Sequence, residues 1–271
     1  MPELPEVETI KRQLEKYLPL QVTSWEKSNV SGSIIKEESF DPAQLQITSI
    51  NRKGKMLYFE FTNHHTMFSH LGMSGSWQIS TDKINKKHTH VQFICKNQSR
   101  KLFLAYIDPR RFGNIYFVNS EKRDFHLNKL GVDISSSSFT TEVLINLFKN
   151  FPLKQLKPFL LEQQYLSGVG NYMASEICAR AGIRPTRRLH KIKKNEYLKI
   201  LNACQSVLDD TLKTNGTTFS GGYQDAFGEK GEGLKNLVVF YQTTCGLCKN
   251  EQVKKITLAG RGTYYCPKCQ K

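Results

Sequence analysis

Apolar residues first recur along the chain at helical spacing: Val7, Ile10, Leu14 and Leu18, with Pro5 at an early position where its missing N–H is harmless. This predicts a helix over residues 5–18. From about 22 to 118 the pattern turns to strands. Met56–Phe61, Thr66–Phe68, Ser76–Ile79, His90–Ile94 and Lys101–Tyr106 are short, rich in β-branched and aromatic residues, and separated by Gly, Asn, Asp or Ser. Short strands so spaced predict a sandwich or barrel. Ser135–Ser138 reads as a polar linker.

Beyond it the helical period returns. Thr140 or Thr141 caps a helix carrying Val143, Leu144, Leu147 and Phe148. A second begins near Pro158 and ends at Gly168-Val169-Gly170, and a third runs from Asn171 to Gly182. Asn195 opens a long amphipathic helix with Ile200, Leu201, Cys204, Val207, Leu208 and Leu212 on one face. Residues 214–235 are Gly-rich and predict a loop. The pattern is that of an α+β multidomain chain: a first helix and β-sandwich over 1–134, a helical domain over 135–236, and a small module over 237–271.

Charge narrows the partners. Among 271 residues, 39 Lys+Arg face 24 Asp+Glu, a net charge of +15, with +5 over residues 1–135 and +10 over 136–271. Such a surface attracts polyanions, nucleic acid first. No basic amphipathic helix presents Trp, Phe or Leu to a membrane interface. No apolar run approaches the roughly 18 residues of a membrane span, and the Met-Pro-Glu-Leu-Pro-Glu start is acidic where a signal peptide is basic. A cytoplasmic location is expected.

The seven cysteines fall into two groups. Cys95, Cys178 and Cys204 sit in apolar or helical stretches and read as small buried hydrophobes. Cys245, Cys248, Cys266 and Cys269 form C-x2-C-x17-C-x2-C, the spacing of a tetrahedral zinc site built from two knuckles. Two disulfides are the other reading of the same spacing. One structural zinc ion is expected in a β-hairpin finger.

Two further places hold chemistry. Removal of Met1 would leave Pro2 as a secondary amine at the N-terminus. An α-amino group has a pKa of about 7.7–8.0, so far more of it is neutral at pH 7 than of a lysine. A neutral amine can attack a sugar carbon and form a Schiff base, and Glu3 and Glu6 lie beside it as proton carriers. Pro and Glu are also ordinary helix-start residues. Gly168-Val169-Gly170-Asn171, between two helices, is either a phosphate cradle made of free N–H groups or a plain tight turn.

These segments occur in a telling order. Pro2-Glu3-Leu4-Pro5-Glu6-Val7-Glu8-Thr9, Arg52-Lys53-Gly54-Lys55, His70-Leu71-Gly72-Met73-Ser74-Gly75, Asp108-Pro109-Arg110-Arg111-Phe112-Gly113, Gly168-Val169-Gly170-Asn171-Tyr172, Ala259-Gly260-Arg261-Gly262-Thr263 and the four cysteines span the whole chain. Together they resemble the formamidopyrimidine-DNA glycosylases, bacterial enzymes that remove oxidised purines from DNA. The resemblance implies a catalytic β-sandwich domain with the first helix, a helix-two-turn-helix DNA-binding domain with a lesion loop, and a zinc finger. It also implies a monomer whose substrate is double-stranded DNA with oxidised bases or abasic sites.

By the same resemblance Pro2 is the nucleophile, Glu3 the acid/base, and Glu6 an organiser of the site. Lys55 and Arg261 match positions of the elimination steps and the phosphate grip. His70, His88, Arg110 and Asn171 match DNA-contacting positions, and Met73, Arg110 and Phe112 match the residues that fill the gap left by a flipped nucleotide. Met73 and Phe112 could equally be core, but both lie beside glycines in loop-like sequence. The loop over 214–235 departs from the pattern: Ser220-Gly221-Gly222-Tyr223 stands where Arg-Thr-Tyr is expected. The stretch between Tyr241 and Cys245 is short. A basic residue expected before the first two-turn helix aligns near Pro152, between Lys149 and Lys154. The rival expectations are the oxidised-pyrimidine branch resembling endonuclease VIII and a zinc-finger DNA-binding protein without catalysis.

Overall fold

In helix α1 (Leu4–Leu14) the side chains of Leu4, Val7, Ile10 and Leu14 are fully buried. Glu6, in its first turn, turns its carboxylate back to accept the Glu3 N–H at 2.7 Å, satisfying a donor the helix itself cannot. The predicted helix to residue 18 is shorter. The chain tightens to a 3-10 turn over Glu15–Tyr17 and becomes extended at Leu18, because the residue before Pro19 is disfavoured in helical backbone. The computed structural model describes every residue except Met1, Ser99 and Gly221, and all side chains of these but that of Ser120.

Nine strands follow: β1 (Leu20–Lys27), β2 (Ile35–Glu38), β3 (Gln46–Lys53), β4 (Met56–Phe61), β5 (Thr66–His70), β6 (Ser76–Ser80), β7 (Thr89–Asn97), β8 (Arg100–Ile107) and β9 (Asn114–Val118). Their order is β2-β9-β5-β4-β3-β1-β7-β8-β6, antiparallel except for the β2–β9 pair. β1 pairs with β3 at its start and with β7 along the rest, so it passes from one half of the sheet to the other. The sheet folds over on itself. Phe93 of β7 meets Phe117 of β9 at 6.4 Å, and Trp77 of β6 meets Phe59 of β4 at 5.2 Å, although each pair is five strands apart in the order. That is the expected sandwich, with its aromatic core between the layers. Helix α2 (Ser120–Asn128) follows β9.

The chain forms two compact units, residues 1–128 with 214–234, and residues 129–213 with 235–271. The Gly-rich loop, expected within the helical domain, therefore clusters with the sandwich. Ser135–Ser138 lies inside the second unit, where Asp133 accepts the Ser135 N–H and O–H at 2.8 and 2.6 Å. This Asp–Ser turn is an ordered part of the unit.

The second unit contains β10 (Val132–Asp133), α3 (Thr141–Asn150), α4 (Leu156–Leu160), β11 (Leu166–Ser167), α5 (Asn171–Arg180), α6 (Lys194–Leu212), β12 (Lys254–Leu258) and β13 (Arg261–Tyr265). Thr140 caps α3, accepting the Val143 N–H. α6 starts two residues earlier than a cap at Asn195 would set it, because Glu196 accepts the N–H of Lys193, its cap. β12 and β13 form a hairpin whose two turn residues, Ala259 and Gly260, both have positive φ (49° and 72°), matching the twist of the strands.

Candidate functional site

The start of α1 is a buried polar cluster. Pro2 is buried, Glu3 is 2% exposed and Glu6 fully buried. Besides the Glu3 N–H, Glu6 accepts the Thr217 N–H at 2.7 Å. Both oxygens of Glu6 are thus committed to backbone, which suits an organiser rather than a proton carrier. The approach is close because Gly216 has φ +87°, and a Cβ there would stand 2.9 Å from both Glu6 Cγ and Tyr223 Cε1. Met1, whose removal the amine expected of Pro2 would require, lies outside the described residues.

Lys55 is nearly buried and follows Gly54, which turns the β3–β4 connection at φ +59°. Arg52 braces that turn, donating to the Gly54 carbonyl at 2.8 Å and to Glu8 of α1 at 2.9 Å. Burial pushes the Glu8 carboxyl up, yet the guanidiniums of Arg52 and Arg12 outweigh it and hold Glu8 below the usual carboxylate range. His70 accepts the Gly72 N–H on Nδ1 at 3.1 Å. Burial, and then the charge of Lys55, lower its pKa to about 4. At neutral pH His70 is therefore uncharged, with its ring proton on Nε2.

Met73 and Phe112 are exposed by 36% and 53%, and the Arg110 guanidinium lies 4.9 Å from the centre of the Phe112 ring. They are surface residues, as their loop-like sequence suggested. Fully buried Asp108 holds their loops: it accepts the Ser74 hydroxyl at 2.7 Å, the Arg110 N–H at 3.3 Å and the Gly113 N–H at 2.8 Å. His88, half-buried with φ 70°, accepts the Asp108 N–H on its carbonyl at 3.0 Å. Buried His90 donates from Nε2 to the Asp108 carbonyl at 3.0 Å, leaving Nδ1 to accept from Ser28. Ser74, Asp108 and His90 went unnoticed as supports in the sequence. Position alone does not tell a buried Asp from a solvated one.

In the second unit Asn171 opens α5. Its Oδ1 accepts from Lys157 Nζ at 2.7 Å and its Nδ2 donates to the Gly262 carbonyl at 3.1 Å. Lys157, only 1% exposed, also donates to Thr263 Oγ1 at 2.8 Å. One buried ammonium thus joins α4, α5 and the β12–β13 hairpin, beside exposed Arg261. Gly168, at φ 107°, gives its N–H to Gln163 at 3.0 Å, and Gln163 donates to the Val169 carbonyl at 2.8 Å. Of the two expected lysines, Lys154 is paired with Glu162 at 2.5 Å, while Lys149 is exposed. Lys157 had no sequence signal, because a lysine among apolar residues usually snorkels to the surface.

Fully buried Glu176 accepts the N–H groups of Val238, Val239 and Phe240 at 2.8–2.9 Å, fixing the chain that enters the finger. Burial pushes its carboxyl up in spite of the three donors. The four finger sulfurs lie within 4.8 Å of one another, with Cys245–Cys269 and Cys248–Cys266 at 3.9 Å. A zinc tetrahedron with bonds of about 2.3 Å has edges of about 3.8 Å, whereas a disulfide needs about 2.05 Å. The spacing suits a metal and sets aside the disulfide reading. Cys95 and Cys178 are buried, and burial raises both thiols to about 12. They are inert.

Comparison with known proteins agrees with this geometry. The formamidopyrimidine-DNA glycosylase N-terminal domain matches residues 1–115, and the H2TH domain of the same enzymes matches residues 130–221. A formamidopyrimidine-DNA glycosylase of Herpetosiphon aurantiacus is 33% identical, covering 100% of both chains. The chain belongs to the formamidopyrimidine-DNA glycosylase family. Another member, from Listeria monocytogenes, is 31% identical over 100% of both chains. The Lactococcus lactis Fpg, solved with DNA containing N7-benzyl-Fapy-dG, superposes with a TM-score of 0.87 at 28% identity, and MutM with DNA containing carbocyclic 8-oxo-G does so with 0.85 at 27%. Each covers 100% of this chain.

Proposed function

We propose that the protein excises oxidised purines, 8-oxoguanine and formamidopyrimidines, from double-stranded DNA and then cuts the strand at the abasic site, acting in the cytoplasm as a monomer. The lesion classes follow those in the DNA bound to its solved relatives. Among the described residues, no helix is long and apolar enough to cross a membrane.

Once freed of Met1, the Pro2 nitrogen attacks C1′ and the C1′–N bond to the damaged base breaks. Glu3 supplies the proton exchange that opens the sugar ring to an iminium. The iminium acidifies C2′, so loss of that proton expels the 3′ phosphate, and a second elimination expels the 5′ phosphate. Lys55 and Arg261 grip the phosphates through these steps. Met73, Arg110 and Phe112 fill the hole left by the extruded nucleotide, offsetting an unstacking cost of a few kcal/mol. His70, His88 and Asn171 contact the DNA backbone. Cys245, Cys248, Cys266 and Cys269 hold one zinc ion, which supplies structural cross-linking alone. The division into catalytic, helix-two-turn-helix and finger parts belongs to the same proposal.

The observation that carries this reading is the buried Pro2–Glu3–Glu6 cluster, with Glu6 immobilised by two backbone donors. Borohydride reduction with 8-oxoguanine duplex tests it. The Met1-free protein should become covalently attached to DNA, Pro2→Gly should attach poorly, and a form retaining Met1 should not attach. Equal attachment by the Met1-retaining form would overturn the assignment.

A further inference from the structure

Residues 224–226 run beside β6, which is last in the strand order, so that among the described residues no strand pairs with its other side. The Ile79 N–H donates to the Ala226 carbonyl at 2.9 Å, and the Ser76 hydroxyl donates to the Gln224 carbonyl at 2.7 Å. Tyr223 and Ala226 are buried in the sandwich core. One side chain near the far end of α1 ties this segment to the helix. Gln13, in the last turn of α1 and 8% exposed, donates from Nε2 to Asp225 Oδ2 at 2.7 Å and accepts the Ala226 N–H on Oε1 at 2.8 Å. Asp225, 3% exposed, uses its other oxygen to accept the N–H groups of Phe227 and Glu229 at 3.0 and 2.9 Å. The result is a closed turn that presents Phe227, 49% exposed. The same segment reaches Glu6 through Thr217.

We infer that Gln13 is a positioning residue for recognition of the damaged base: with Asp225 it clamps the 214–234 segment to α1, so that the pocket for the base is built before DNA arrives. The inference rests on the glycosylase reading. It touches base release and not strand cleavage, because an abasic sugar presents no base to recognise.

The pairing can be reversed. Gln13→Glu sets a carboxylate against Asp225, and Asp225→Asn sets two amide donors against each other. The double variant restores one donor and one acceptor with the opposite sense, and the shorter amide keeps its oxygen for the turn. Single-turnover excision of 8-oxoguanine and of a formamidopyrimidine should fall about tenfold or more in each single variant. The double variant should return close to the wild-type rate, and cleavage of a preformed abasic site should stay within about twofold throughout. Hydrogen exchange of residues 216–229 in the free protein should follow the same order: protected, exposed, exposed, protected. Excision unchanged in the single variants, excision and abasic cleavage falling together, or a double variant no better than the worse single would each overturn the inference. A wild type that releases neither base would instead overturn the glycosylase reading, while exchange in the same variants would still read the clamp.

Discussion

Glu6 and Glu176 are the same device used in two units. Each is a fully buried carboxylate on a helix, and each accepts backbone N–H groups from a segment more than sixty residues away. They differ in what the segment does. Glu6 stands in the first turn of α1 and divides its oxygens between Glu3, next to Pro2, and Thr217, near the start of the 214–234 segment. Glu176 gives both oxygens to three successive residues of one strap, and that strap leads to the finger. The first joins the start of α1 to a distant segment of the same unit; the second holds one strap. A buried acid is therefore not functional by virtue of burial but by what its partners carry.

The contrast breaks most visibly at Glu3. Glu3→Gln should slow base release about 10²–10⁴-fold while DNA affinity in a mobility-shift titration stays unchanged. A matching loss of affinity would mean that the start of α1 is scaffold too.

Acid should separate the units next. Because the folded pKa of His70 is depressed to about 4, its contribution is present above the unfolded value of about 6.5 and is lost as pH falls from there to about 4, a difference of up to about 3 kcal/mol. Glu8, also depressed, adds a loss below the ordinary carboxylate range. Glu176 is raised, so its contribution is present at low pH and is lost as pH rises through its folded value. Acid should therefore weaken the first unit ahead of the second. Both tryptophans, Trp25 and Trp77, lie in the first unit, so fluorescence-detected unfolding reports it alone. His70→Gln should flatten that signal's stability between pH 6.5 and 4; an unchanged slope would remove His70 as the cause.

A smaller effect sharpens the two glutamates directly. Glu6→Gln and Glu176→Gln should each cost about 1–3 kcal/mol in urea unfolding. Only Glu6→Gln should also lower single-turnover excision at saturating DNA. The smallest expected change is in the first unit on metal removal: a chelator should weaken DNA binding and leave the tryptophan transition in place. Chelated protein that binds DNA normally would separate the finger from the phosphate grip.

Much was legible in order along the chain. The stretches at Met56–Phe61 and Ser76–Ile79 became β4 and β6; burial alternates residue by residue in β4, while the first four residues of β6 are all buried and only their β-forming types marked the strand. β1, β2, β3 and β9 were not delimited: β2 has no buried residue, and in β1 and β3 half-buried and exposed residues interrupt the buried ones. The spacing of Cys245, Cys248, Cys266 and Cys269 was readable for the same local reason: two short knuckles preset half the geometry of a metal site. Met73 and Phe112 were read as exposed from their neighbouring glycines.

Lys157, Glu176 and the Gln13–Asp225 clamp were not readable, and the reason is common to all three. Each is a polar group whose burial is tolerable only because a partner from a distant segment meets it: Thr263 lies 106 residues from Lys157, and Asp225 lies 212 from Gln13. The sequence by itself determined the types of many of the elements and the two cysteine knuckles positioned to hold a metal ion, which depend on neighbours within a few residues. Only the tertiary structure decided that residues 214–234 join the sandwich, that His70 is neutral, and which buried polar groups find partners. Desolvation and long-range hydrogen bonding are properties of the packed molecule and have no period along the chain.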